Sequence, residues 1–395
     1  MLSAYKVLDL SGRLGWLAGR IMVDLGADVI KVEPFGTDLD GTEWRALNLG
    51  KRLLRLDPSS PAGRRIIEKA IPGIDVLLES TDPTDEWLRP DRTAALNPDL
   101  IHVSITPYGR VGPRAAWRGT DLEMMAASGA MSLAGEPGGT PLRISAPQAH
   151  AWAGAHAASG AMIALIHRSQ GGGGQHVDVS AQASIIAALA HAPTFVDMMG
   201  TVPSRAGSNM TGRSIHGAEY KAFWPCADGF INFVIYGGPA GRRTNKALIA
   251  WMREKNADLG VLADIDWNTF DPKLADQDEV DRLEAPIARF FQDITKAEFL
   301  EGACAREMLG YPVSTVADIS ADPQLEARGF WCDVPTPDGG KERHCGAFYI
   351  TDGERPETLS TGMDPAAEGR RILKDFGYSE TEIDGFVDER VVGAA

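Results

Sequence analysis

His150 heads a run of unusually small residues, AHAWAGAHAASGAMIALIHRS from Ala149 to Ser169, that reads as one helix. An imidazole titrates near neutrality and could take or give a proton at that position. A helix start also offers free N–H groups and the positive end of a dipole, which favour anionic groups. Ala153, Gly154, Ala157, Ala158, Gly160 and Ala161 carry almost no side chain, so this helix can approach other backbone closely. A crowded helix start with a titratable side chain is where a site for an anionic ligand is expected. His156 lies six residues on, about 600° of helical rotation further, and points instead to the core or an interface.

The surrounding pattern supplies the elements that must hold this helix. A short extended entry from Pro141 precedes it, and a glycine turn at Gly171 to Gly174 and an alternating strand, Gln175 to Ser180, follow. Nearer the N-terminus, Lys6 to Leu10 reads as a strand, Leu17 to Leu25 as a helix, and Ala27 to Val32 as a strand ending in Glu33. Ser60 to Lys69 continues as a helix, with strands at Val76 to Glu79 and Ile101 to Ile105. Alternating strands and helices predict an α/β domain with a parallel sheet. The first turn, SGRLGWLAG, lacks the three-glycine dinucleotide fingerprint, and the four glycines after Gln170 lead into Gln175 rather than the Lys-Ser or Lys-Thr of a phosphate loop.

At 395 residues the chain is long enough for two lobes. Its 39 Lys plus Arg against 54 Asp plus Glu give a net charge of −15, which argues against general affinity for nucleic acid or an anionic membrane, so an anionic ligand needs a local basic pocket. The cysteines, Cys226, Cys304, Cys332 and Cys345, show neither metal-ligand spacing nor a disulfide framework, and read as reduced thiols of a cytoplasmic protein. No metal is expected. MLSAYKVLDLSG runs straight into a strand pattern without a secretory signal, and no run approaches the ~20 apolar residues of a membrane span.

Six blocks in order carry a resemblance. They are VLDLS with LGADVIKVEPFG near the start, LNLGKRLLRLD at 47 to 57, VSITPYGRVGP followed by GTDLEMMAASGAMSLAGEPGGTPLR, GQHVDVS at 174 to 180, FWPCADGFINF at 223 to 233, and DPQLEARGFW at 322 to 331. Together they resemble the class III CoA-transferase family, which includes formyl-CoA and carnitine CoA-transferases and methylacyl-CoA racemases. The resemblance implies an α/β fold with a large Rossmann-like CoA-binding domain, a smaller α/β domain and an interlocked dimer. Residues 1–200 would begin the large domain, 201–224 would link, 225–325 would form the small domain, and 326–395 would return to the large one. The implied substrates are an acyl-CoA and a small carboxylic acid, and the implied partner is a second copy or a homologous chain.

In transferases of this family an Asp at the start of the small-residue helix attacks the acyl-CoA, giving an anhydride and then an aspartyl-CoA thioester. His150 occupies the matching position, and Gln148, Ala149, Ala151 and Trp152 are not carboxylates either. His150 therefore stands either as a general base in racemase or lyase chemistry, or as a replacement in a non-catalytic subunit whose partner retains the Asp. The racemases add a Gly-His-Asp motif; here it is Gly119-Thr120-Asp121. Asp121 matches an acidic residue of both branches, and reads either as catalytic or as the N-cap of the helix beginning LEMMAASG. Two positions that often carry Arg are here Pro34-Phe35 and Ser80-Thr81-Asp82. Lys51, Arg52, Arg110 and Arg143 remain as candidates for the CoA phosphates, each equally readable as a surface charge.

Overall fold

The computed structural model describes residues 1–82, 84–336, 339–356 and 365–393. The chain divides into two compact units, one of Met1–Met131, Arg143–Val202 and Pro323–Ala395, the other of Ser132–Leu142 and Pro203–Asp322. The second unit thus takes in a short segment, Ser132–Leu142, lying inside the range that sequence reading gives to the large domain. The C-terminal range 326–395 includes 337–338, 357–364 and 394–395, which lie outside the described residues.

The first unit is built on β1 (Lys6–Leu10), α1 (Trp16–Asp24), β2 (Asp28–Glu33), α2 (Thr42–Asn48), β3 (Arg52–Arg55), α3 (Pro61–Ala70), β4 (Val76–Glu79), α4 (Pro90–Leu96) and β5 (Ile101–Thr106). It continues through α5 (Asp121–Ala127), α6 (Ala149–His167), β6 (Gln175–Ser180), α7 (Ala181–Ala188) and α8 (His191–Met199). The six strands pair in parallel in the order β3-β2-β1-β4-β5-β6. Strands β4 and β5 are buried along their whole length, as expected of parallel strands covered on both faces. Alternate residues serve opposite layers: Val7 packs with Ala18, Met22, Ala153 and Ala157 of α1 and α6, whereas Leu8 packs with Ile66, Ile67, Ile372 and Ile383 on the other face.

Small residues set the closeness of α1 and α6. A Cβ on Gly154 would lie 2.8 Å from the Leu17 Cβ and 3.1 Å from the Ala18 nitrogen. Buried Ala149, Ala153, Ala157, Ala161 and Ala164 continue the same packed stripe. After α6 the chain turns through Arg168–Gly172, with Gly171 at φ 89°, a conformation that glycine adopts without steric cost. The later part of this unit adds a hairpin, Trp331–Pro335 with Lys341–Cys345, and two helices, Pro365–Asp375 and Glu380–Asp388.

The second unit contains a three-stranded antiparallel sheet of Phe223–Cys226, Gly229–Asn232 and Tyr311–Pro312 with helices Gly238–Glu254, Gln277–Gln292 and Lys296–Ala305. Trp224, Phe233, Trp251, Phe291 and Phe299 form its aromatic core.

Candidate active site

The strand order reverses direction between β1 and β4, and in open α/β sheets the crevice outside the carboxyl ends of the strands at such a point receives ligands. A cleft of about 830 Å3 lies there. Its walls come from Arg13 and Leu14 after β1, Ser80–Asp82 after β4, the Trp117–Leu122 segment, and Arg143, Pro147 and His150 leading into α6. The loops after the two strands are tied together, the Gly12 N–H donating to the Ser80 hydroxyl at 2.7 Å.

Asp121 and His150 both line this cleft. The helix α5 is capped by Thr120, whose N–H donates to the Glu123 carboxylate (2.8 Å) in a capping box. Asp121 is therefore not the N-cap of its own helix; it sits one residue inside, and its carboxylate accepts the Ala149 N–H at 2.7 Å, capping α6 from outside. The T-x-x-E spacing of Thr120 and Glu123 was the available signal for this arrangement. Gln148, the residue before α6, makes no side-chain cap, so the carboxylate of Asp121 answers one of the orphan donors at that end.

His150 is half-buried, and its Nδ1 is shielded from solvent without a hydrogen-bond partner among the described residues. Burial pushes the imidazole below its ordinary pKa, Arg13 pushes the same way, and the charges of Asp121 and Glu43 oppose them. The ring is accordingly neutral at pH 7, able to accept a proton. His150 also borders a second hollow of about 440 Å3, lined by Leu17, Ala46, Leu47 and Ala151 together with Arg13 and Glu43. His156 is half-buried further along α6, beside Trp152.

The basic residues separate sharply. Lys51 does not reach the cleft: its side chain is 0% exposed, and its ammonium donates to Asp9 (2.7 Å), Asn48 (2.7 Å) and the Trp16 carbonyl (2.8 Å). Burial drives its pKa down to about 8 despite Asp9. A buried cation needs such partners, which is why Asp9 also sits fully buried between Lys51 and Lys31. Arg52 is shared by Glu368 (2.6 Å), Asp375 (2.8 Å) and Asp28 (3.2 Å), fastening β3 to the helix Pro365–Asp375.

Arg110 is also largely enclosed, donating to Ser104 (2.8 Å) and Glu79 (2.9 Å). Burial alone would raise the Glu79 carboxyl, but hydrogen bonding to His102 and the charge of Arg110 hold it down at about 2. Glu79 in turn accepts the Thr81 N–H at 2.7 Å, so Arg110 acts on the cleft by fixing its wall. Arg143 alone of the four expected residues lines the cleft, exposed, with contacts to the Ile144 and Ser145 carbonyls at 3.4 Å.

Two cleft arginines were missed by sequence reasoning. Arg118 pairs with Asp82 at 3.1 Å and is 91% exposed, and Arg13 is held by Glu43. Arg13 follows β1 directly in Ser11-Gly12-Arg13, so its place at a strand's carboxyl end was the signal that could have found it. Among the described residues no cluster of three His, Cys, Asp or Glu could hold a metal, and no helix is long and apolar enough to cross a membrane.

Comparison with known proteins agrees with this architecture. The model of CoA-transferase family III matches residues 2–367. The succinyl-CoA:(R)-benzylsuccinate CoA-transferase subunit BbsE of Thauera aromatica is 30% identical, covering 98% of this chain and 96% of that protein. The succinate–glutarate CoA-transferase of Agrobacterium fabrum is 30% identical over 86% of each chain. The crystal structure of a CAIB/BAIF family protein from Brucella suis superposes with a TM-score of 0.78 at 26% identity, covering 95% of this chain and 98% of that one. With residues 2–367 matched by the family model and nearly its whole length aligned to a relative 30% identical, the chain belongs to CoA-transferase family III.

Proposed function

We propose that this chain binds an acyl-CoA in the cleft of its first unit and serves CoA transfer to a carboxylic acid as one subunit of a heteromer, whose homologous partner supplies an Asp nucleophile. The observation that carries this reading is His150 at the head of α6, where the family's transferases are expected to place that Asp. In the transfer, one thioester C–S bond breaks, another forms, and one carboxylate oxygen passes from the acceptor acid to the donor acid. A carboxylate side chain can follow this path because its own carbon becomes the acyl group of a CoA thioester. An imidazole has no acyl carbon with which to hold CoA. Asp121 is committed to the Ala149 N–H, and its position supports α6 rather than an attack on substrate.

Two relatives named as subunits support the heteromer: BbsE, and the succinyl-CoA–L-malate CoA-transferase beta subunit of Chloroflexus aurantiacus, 26% identical over 94% of this chain. Arg118 and Arg143, exposed at the cleft, suit the anionic phosphates of CoA through charge-assisted hydrogen bonds. An acyl-CoA substrate and free cysteines fit a cytoplasmic protein. The test is mass-spectrometric detection of CoA exchange between acyl-CoA donors and free acids. The chain alone is expected to bind CoA without exchange, and a homologous Asp-bearing chain to establish it; full exchange by the chain alone would contradict the subunit role.

One observation favours a second reading, an acyl-CoA racemase or lyase with His150 as base: the imidazole is neutral, with Nδ1 unpartnered among the described residues. Deuterium entering the carbon next to the thioester in heavy water, and lost in His150→Ala, would select it.

A further inference from the structure

Thr81 forms part of the cleft wall, and what holds it reaches back through the sheet to a histidine on the edge strand β6. Glu79, fully buried, accepts both the N–H and the hydroxyl of Thr81. Arg110 Nη2 donates to that carboxylate at 2.9 Å, and its Nε donates to the buried Ser104 hydroxyl at 2.8 Å. The Ser104 oxygen lies in turn 2.9 Å from His176 Nε2. A guanidinium can only donate, so the Ser104 oxygen accepts from Arg110 and leaves its single proton for His176 Nε2. This assigns His176 as the neutral tautomer protonated at Nδ1. His176 is exposed and borders a small hollow of about 80 Å3 with His102 and Thr93, so protons from solvent reach it. The titratable groups facing the ring are His102 of β5, edge-on at 5.3 Å, Arg110 after β5, Glu79 of β4 and Asp178 of β6 itself. Partial burial, His102 and Arg110 push the imidazole below its ordinary pKa, and Asp178 and Glu79 oppose them.

We infer that His176 is a positioning residue for this cleft: neutral, it completes the Ser104–Arg110–Glu79 chain that fixes Thr81, and protonated, it displaces Arg110 and loosens that wall. Resting on the acyl-CoA reading proposed above, the consequence is that ligand binding weakens on acidification. A second proton must enter the ring at Nε2, where it offers Ser104 a donor in place of an acceptor and sets a positive charge beside Arg110. One guanidinium spans Ser104 and Glu79, so a shift at its Nε is felt at the carboxylate that holds Thr81. With a native pKa below the ordinary value of 6.5, the wall is held in full above that value and released as pH falls through the native one.

Coenzyme A binding to the full chain, followed by titration calorimetry from about pH 7.5 to about pH 5.5, tests this. His176→Gln keeps an acceptor for Ser104 in its side-chain carbonyl but cannot take up a charge. The two proteins are expected to bind alike near neutrality, which also reports an intact fold, and wild type to lose about two- to fivefold more affinity at the acid end. His150 and the phosphates of the ligand titrate in both proteins, so the difference between the two profiles belongs to His176. Parallel profiles, or weaker binding by His176→Gln already near neutrality, overturn the role of His176 and leave the acyl-CoA reading standing. Failure of wild type to bind coenzyme A near neutrality overturns that reading and this inference with it.

Discussion

Two clusters of charge lie near the carboxyl edge of the same parallel sheet, and they obey opposite rules. Beneath β1, β2 and β3, Lys31, Lys51, Asp9 and Glu33 are all buried, and each cation is matched to nearby carboxylates and carbonyls. At the β1–β4 switch point, Arg13, Arg118 and Arg143 stand exposed around an open cleft. A buried cation must be satisfied by the fold, since an uncompensated one costs several kcal/mol. An exposed arginine keeps donors open to solvent, so position relative to the switch point, rather than positive charge alone, decides which arginines face the cleft.

Asp9→Asn removes the carboxylate shared by Lys51 and Lys31, and is expected to lower stability by about 3–5 kcal/mol in denaturant unfolding. A loss under about 1 kcal/mol, the scale of an exposed pair, would erase the distinction between the two clusters. Gly154→Ala probes the packing that carries α6 to the cleft. A Cβ there meets Leu17 at 2.8 Å, and a loss of about 1–3 kcal/mol is expected from overpacking; a neutral or stabilising change would show that α1 and α6 can part cheaply.

A smaller effect sharpens the open side. Asp121→Ala removes the external cap of α6 and is expected to cost about 1 kcal/mol. Because the Asp121 charge raises the His150 pKa against burial, the same substitution should lower that pKa further, as followed by NMR titration of the imidazole. The sign carries into stability: with a native pKa below the unfolded one, neutral His150 contributes fully above about pH 6.5 and less as pH falls through the native value.

Much of this architecture was legible because buried strands announce themselves. KVLDL and VLLE are short apolar runs, and the structure places β1, β4 and β6 at the residues read from the sequence. Helices α2 and α4, seven residues each, were not read, since two turns give too little periodicity to stand out. The small-residue helix was legible as a close-packing element, and Gly154 against Leu17 shows why its residues are small. The fates of the basic residues were hidden. Asp9 and Lys51 pair across 42 positions, and Arg52 with Glu368 across 316, so only the folded chain distinguishes a structural cation from one facing the cleft. Arg13 was overlooked for the converse reason: a lone charge in a turn acquires meaning only once the strand order locates that turn at the switch point.

The central claim, that the cleft is an acyl-CoA site whose nucleophile position is held by an imidazole, is tested most directly by His150→Asp. The measurement is CoA exchange by the purified chain without a partner, with mass-spectrometric search for a CoA thioester on residue 150. Exchange and adduct in the variant, with neither in wild type, is the predicted result. Exchange by wild type alone that the substitution abolishes would contradict the account and assign the chemistry to His150 itself.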